Sequence, residues 1–180
     1  MKESSVLKVP VDLKILPLPL QSLISDMLYA EDFTRKHNAR VILVKMGKSI
    51  IPSIHKLLFS KDVRIRMEAA KVIELISDKR SIPYLIVLLD DPIFDIRWIA
   101  AEGLVRIGRK SIRPLLRSIC STKSSLFLDK SAHHVLGRLL YEEEKTRLDV
   151  LMLSLDNFHE IGSTAPAEAL KALKMFKFTN

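Results

Sequence analysis

The sequence predicts an all-α chain: an α-solenoid of about four helix pairs, residues 21–180, preceded by an extended arm over 1–20. Three observations carry that expectation. Pro52, Pro83 and Pro114 recur at a constant spacing of 31, and so do Arg35, Arg66 and Arg97. The apolar positions Ile42, Ile73, Leu104 and Val135 keep the same period, as do the small pairs Ala69-Ala70 and Ala100-Ala101. Asn38-Ala39 and Ser131-Ala132 extend the small pairs more weakly. Columns that agree on one period mark an internal repeat, whose units bury their apolar faces against each other. The third observation is composition: 180 residues, 48% of them apolar, are enough for one domain with a substantial core.

The arm comes first. Pro10, Pro17 and Pro19 argue against a helix there, and the alternation of Val9, Val11, Leu13 and Ile15 suggests an extended segment packed on the repeats. A starter helix follows near 21–30. Long helices are expected near 32–46, 62–77, 93–108 and 125–140. In the second of these, Ile65, Ala69, Val72, Ile73 and Ile76 form one apolar stripe, and the alanines allow a neighbouring helix to come close.

A polar turn ends each long helix, and a short helix follows, near 50–59, 81–89 and 111–121. Ser81 stands at an N-cap position, and Pro83 falls in the first turn, where its missing N–H costs nothing. Leu85, Leu88 and Leu89 are the buried face of that short helix. The phrases Lys48-Ser49-Ile50-Ile51-Pro52, Arg80-Ser81-Ile82-Pro83 and Lys110-Ser111-Ile112-Arg113-Pro114 repeat the turn. The fourth unit lacks the proline and continues into a longer helix near 142–157, whose acidic start, Glu142-Glu143-Glu144, suits the helix dipole. A last amphipathic helix near 164–177 presents Ala169, Leu170, Leu173 and Phe176.

The phrase Asp95-Ile96-Arg97-Trp98-Ile99-Ala100-Ala101-Glu102-Gly103-Leu104, with its second copy Ile65-Arg66-Met67-Glu68-Ala69-Ala70, resembles the HEAT-like repeat of the phycobilisome-lyase type. The resemblance covers about residues 38–120. It implies a right-handed superhelical stack that serves mostly as an interaction scaffold. It also implies that the repeated arginines bond to carbonyl or acidic groups of the turns, with Asp62, Asp91 and Asp95 at hand. A few members of that family are enzymes or enzyme subunits, among them bilin lyases, deoxyhypusine hydroxylase and alkylpurine DNA glycosylases. The fold is specified far better than the function.

Two surfaces stand out as candidate sites. The short-helix face, concave in stacks of this type, offers His55, Lys56, Tyr84, Val87 and Arg117, with Ile86 and Leu115 beside them. An apolar centre with a charged rim is the anatomy of a protein interface. The turn cations Lys48, Lys79, Arg80, Arg109, Lys110 and Arg113 occupy equivalent places in successive units and suggest a basic ridge for phosphates. Trp98, the one tryptophan, is either a contact residue or a filler between units.

Catalytic and metal chemistry find little to stand on. His133 and His134 are adjacent and point about 100° apart on a helix, so they do not share an ion. His159-Glu160 is the one His-Glu pair, where the di-iron hydroxylase pattern needs several. No nucleophile elbow or phosphate-cradling glycine loop occurs, and Cys120 falls on a buried stripe with Leu116. No cofactor and no metal are expected.

The net charge is +8, from 29 basic and 21 acidic residues. Residues 1–114 hold 20 basic and 13 acidic side chains, whereas 115–180 hold 9 and 8. One cysteine fits a reducing compartment. The longest charge-free run extends only from Ile15 to Ser25, too short for a membrane span, and no leader pattern is evident. The expectation is a cytoplasmic, non-catalytic scaffold for an acidic protein or peptide. Nucleic-acid binding along the turn ridge, or a role as a lyase-type subunit, stand as alternatives.

Overall fold

The computed structural model describes residues 13, 14, 16–121, 125–156 and 164–176. Those residues are mostly helical, with no strand among them. The helices are α1 (Leu18–Tyr29), α2 (Phe33–Met46), α3 (Ile51–Leu57), α4 (Val63–Ile76), α5 (Ile82–Leu88), α6 (Phe94–Ile107), α7 (Ile112–Ser121), α8 (Leu126–Leu139), α9 (Glu142–Arg147), α10 (Asp149–Asp156) and α11 (Ala165–Met175). The long and short helices alternate as the proline and alanine columns predict, and most boundaries fall close to the expected ones. Among the described residues, no helix is long and apolar enough to cross a membrane.

The chain divides into two compact units, Met1–Val72 and Ile73–Asn180, the division falling inside α4. In the first unit, α1 packs along α2. Residues 1–12 and 15 of the expected arm lie outside the described residues, but its end is corrected: Leu18 to Leu20 are helical. Pro19 sits in the first turn of α1, where no intrahelical partner for its nitrogen is needed. Asp32 caps α2 by accepting the N–H groups of Thr34 and Arg35, and Arg40 is paired with Glu68 at 2.6 Å.

In the second unit α5 packs on α6, α6 on α8, and α7 on both α8 and α11, while α10 closes against α8 and α11. The contact of α5 with α6 passes through Gly103, where an added Cβ would stand 3.1 Å from a methyl of Leu85 and 3.5 Å from the Glu74 backbone. The helix expected over 142–157 is broken at Leu148. Thr146 turns its hydroxyl back onto the Glu142 carbonyl, and Asp149 accepts the next amide, that of Val150.

The turns that follow α2, α4 and α6 each begin with a positive φ, at Gly47 (59°), Ser77 (51°) and Gly108 (87°). A short 3-10 turn then leads into the next helix. This corrects the expected N-cap at Ser81: its side chain makes no capping bond and is fully buried. Its amide already donates to the Asp78 carbonyl within the 3-10 turn, and the Asp78 carboxylate accepts from Arg80 N instead. In the following turn Ser111 donates its hydroxyl to the Leu104 carbonyl.

The core follows the predicted stripes for α4 and α5, with Ile65, Ala69, Val72, Ile73, Leu85, Leu88 and Leu89 buried. Ile42 departs from its column. It is 45% exposed, and Leu43 takes the buried place. Substituting Gly103 by leucine should lower unfolding stability by about 1–3 kcal/mol, because the α5–α6 contact cannot widen without opening the core. Urea unfolding of the variant against the parent chain measures this.

Candidate functional site

An aromatic-lined concavity lies in the second unit, between α6 and α8. Phe94, Arg97, Trp98 and Ala101 stand at i, i+3, i+4 and i+7 of α6, hence on one face. Phe127, Lys130, Ser131 and His134 occupy the same register on α8. The two faces enclose a cleft of about 360 Å³. Ala101 forms its floor, and a side chain without reach beyond Cβ is what leaves the volume open.

The aromatic walls are solvent-accessible: Phe94 is 62%, Trp98 48% and Phe127 42% exposed. Rings of this size bury large apolar areas when a partner covers them. Arg97 braces the mouth. Its guanidinium donates to the carbonyls of Asp91 at 2.8 Å and Pro92 at 3.1 Å, and lies 4.1 Å above the Phe127 ring. At the other end the His134 ring is 4.7 Å from that of Trp98, and its Nε2 is 2.8 Å from Glu102 Oε1. Ser131 donates to the Leu89 carbonyl, and the Ser125 hydroxyl to the Asp90 carboxylate, so the start of α8 is tied to the loop just after α5. Lys130 is exposed on the rim and makes no ion pair among the described residues.

The repeated arginines do what the resemblance implies for two of three. Arg66 donates to the carbonyls of Ser60 and Lys61, as Arg97 does to Asp91 and Pro92. Arg35 pairs with Asp26 at 2.7 Å.

The short-helix face is only partly present. Lys56, Val87 and Arg117 are exposed and Tyr84 is half-buried, but His55, Ile86 and Leu115 are buried. The correction follows from helix phase. His55 follows Ile54 and Ile86 follows Leu85, so each extends the inward stripe by one position rather than standing opposite it. Lys56 belongs to the first unit; Tyr84, Val87 and Arg117 belong to the second.

The turn cations divide into two kinds. Lys48, Lys79 and Lys110 are exposed. Arg80 bonds to Asp78 at 2.9 Å. Arg109 donates to both oxygens of Glu144, at 2.9 and 2.6 Å, and to the Leu139 carbonyl, with its guanidinium 4.2 Å over the Tyr141 ring. Arg113 is half-buried on α7. Among the described residues no group of three or more His, Cys, Asp or Glu could hold a metal ion, and His159 and Glu160 lie outside those residues. Cys120 is half-buried, its Sγ 3.6 Å from the Pro166 carbonyl, and burial pushes its thiol pKa up.

The cleft is legible in principle from sequence. Phe94-Arg97-Trp98-Ala101 and Phe127-Lys130-Ser131-His134 are offset by 33, two more than the repeat, so a scan at 31 passes over them.

The hydrogen bonds from Arg109, with that of the Tyr141 backbone N–H, hold the Glu144 carboxyl below the usual carboxylate range. A depressed folded-state value contributes stability that is complete above the unfolded pKa of about 4.3 and is lost as pH falls through the folded value. Glu144→Gln should therefore cost about 1 kcal/mol at pH 7, and the difference should shrink once pH falls below the usual carboxylate range, towards the lowered folded value. Urea unfolding across pH 3–7 tests both statements. The sequence matches no protein-family model and no curated protein.

Proposed function

We propose that the chain is a non-catalytic binding scaffold of HEAT-like helix pairs, stacked as an α-solenoid, which holds an acidic protein or peptide in the α6–α8 cleft. The repeated arginine–carbonyl bonds, the alternation of long and short helices and the positive-φ turns at near-equal spacing support the repeat reading. The cleft supports the binding reading. One observation carries it: Phe94, Trp98 and Phe127 stay open to solvent around a cavity sized for one large apolar side chain, under the cations Arg97 and Lys130.

Chemistry selects the partner. Filling the cleft with a Phe or Leu anchor removes apolar surface from water, worth about 2–3 kcal/mol. Carboxylates flanking that anchor would meet Arg97 and Lys130. Rim pairs of this kind add little affinity but raise the association rate and reject basic partners. Tyr84, Val87 and Arg117 on α5 and α7 are a second candidate contact.

Nucleic-acid binding along the turns is supported less well. Arg80 and Arg109 are committed to Asp78 and Glu144, so the ridge in the second unit rests on Lys79, Lys110 and Arg113.

Because Trp98 is the sole tryptophan, its emission reports the cleft directly. Titrating the protein with a peptide carrying one Phe flanked by Glu residues should give a saturable blue shift. Phe127→Ala should weaken the affinity about tenfold, near 1.4 kcal/mol, whereas Lys130→Glu should act mainly by slowing association. An unchanged emission, or loss of binding in Tyr84→Ala but not in Phe127→Ala, would move the site off the cleft. A shift produced by single-stranded DNA and not by the peptide would replace the partner class.

A further inference from the structure

Phe33 opens α2 and is 80% exposed, more than any other large apolar side chain among the described residues. Glu31 and Asp32, both exposed, stand directly before it. A phenylalanine behind two carboxylates is the chemistry that the α6–α8 cleft is read to accept. Resting on that reading, we propose that the partner is a second copy of this chain, whose Phe33 enters the cleft.

The fold of the first unit does not use this ring. α2 buries Ala39 and Leu43, and Phe33 adds nothing to that core. Its ring stacks on that of His37, one turn on, with the centroids 6.4 Å apart. The contact limits the ring's freedom before any encounter, so less side-chain entropy is left to lose on docking. Other exposed rings beside carboxylates are committed. The Arg109 guanidinium lies 4.2 Å over Tyr141, and Phe94 is itself a wall of the cleft.

Charge gives the contact a direction. Around the anchor, Asp32 is fixed by the amides of Thr34 and Arg35, and Arg35 is paired with Asp26 at 2.7 Å. Lys36 follows Phe33 by one turn. The cleft has the matching polarity. Arg97 and Lys130 stand beside Phe127, whereas Glu102 is at the far end, 2.8 Å from His134. Seated with Glu31 and Asp32 towards Arg97 and Lys130, the anchor would bring Lys36 to the Glu102 end. Opposite charges then meet at both ends, and the reversed seating sets like against like.

An anchor on one unit and a cleft on the other make a heterologous contact. Each copy offers one of each, so the contact can repeat, closing into a ring or extending as a chain. One ring in one cleft is smaller than the interfaces that hold stable dimers, and association is therefore weak and sensitive to concentration.

The test divides the contact between two variants of the full chain. Phe33→Ala keeps the cleft and loses the anchor; Phe127→Ala keeps the anchor and damages the cleft. Thermal melting checks that both are folded. The Phe33→Ala chain is labelled with nitrogen-15, and its single indole N–H, that of Trp98, is followed while unlabelled Phe127→Ala chain is added to about 1 mM. The peak should shift saturably. A donor chain carrying both substitutions should bind at least tenfold more weakly. Glu31→Lys in the Phe127→Ala donor should weaken binding several-fold, and Glu143→Lys, the same charge change at another exposed site, should not. The sedimenting mass of the parent chain should rise with concentration, and Phe33→Ala should abolish the rise.

A peak that ignores the Phe127→Ala chain, or responds equally to the doubly substituted one, overturns the inference. Equal weakening by Glu143→Lys would mean diffuse attraction and overturns it as well. The acidic peptide of the cleft experiment, added to the same labelled chain, keeps the two readings apart. A shift with the peptide alone leaves the cleft reading standing and removes self-association. A shift with the Phe127→Ala chain alone supports the second copy and removes the free acidic peptide, and a shift with neither removes both.

Discussion

The spacing of the helices depends on small residues in the long ones. Ala39, Ala70, Ala101 and Ala132 recur once per repeat, and each is buried to 3% exposure or less. A methyl side chain at such a position lets a neighbouring backbone approach, and the leucines of the short helices then fill the layer beside it. Gly103 carries the same rule further at the α5–α6 contact, where even one carbon atom crowds Leu85. The openings follow from this closeness. Where α6 and α8 carry Phe94, Trp98 and Phe127 near their amino ends, three large rings cannot enter the narrow gap set by Ala101, and they remain at the surface around a cleft.

The turns solve a different problem, that of backbone groups left without partners at helix ends. Arg66 and Arg97 answer the carbonyls of the preceding loops, and Ser111 answers that of Leu104. Asp78 takes an amide of its own turn, and its pairing with Arg80 is a by-product of that geometry. A cation in a repeated turn is thus as readily a structural donor as a ligand contact. Sequence position does not separate the two uses. The distinction appears only when the acceptors can be seen, and it splits the predicted ridge into fixed arginines and exposed lysines.

What can be read from the sequence is whatever repeats locally. Prolines in first turns, leucines at helical spacing and the acidic start of α9 depend on near neighbours in the chain, and the helices fall where those signals put them. The errors arise where phase or partner decides. Ile42 keeps the period but loses the core to Leu43, because a helix turned by one residue presents the next side chain. Elimination places His55, Ile86 and Leu115 on an outer face, and wide burial stripes on short helices absorb them. The break at Leu148 comes through Thr146 and Asp149, whose hydrogen bonds no apolar pattern records. Both faces of the cleft are in view as residues, but not as one site, because their offset is that of packed helices rather than of the repeat.

That offset bears on how such a chain acquires function. Positions that keep the 31-residue period are occupied by local structural needs: alanine buried in the long helices, arginine bonded to the loop, proline in the first turn of the short helices. Under the proposed binding role, a contact residue has to stand on positions that those needs leave free. Trp98 and Phe127 are such positions, one residue beyond Arg97 and one before the buried Leu128. Their exposure costs the isolated chain apolar surface in water that a smaller side chain would not show. Arg97 links the two roles, since the guanidinium that satisfies the loop carbonyls also lies over Phe127 and faces the cleft. The bond that satisfies the loop carbonyls thereby holds one wall of the cleft in place, and under the proposed binding role less ordering would be left for a partner to bring about.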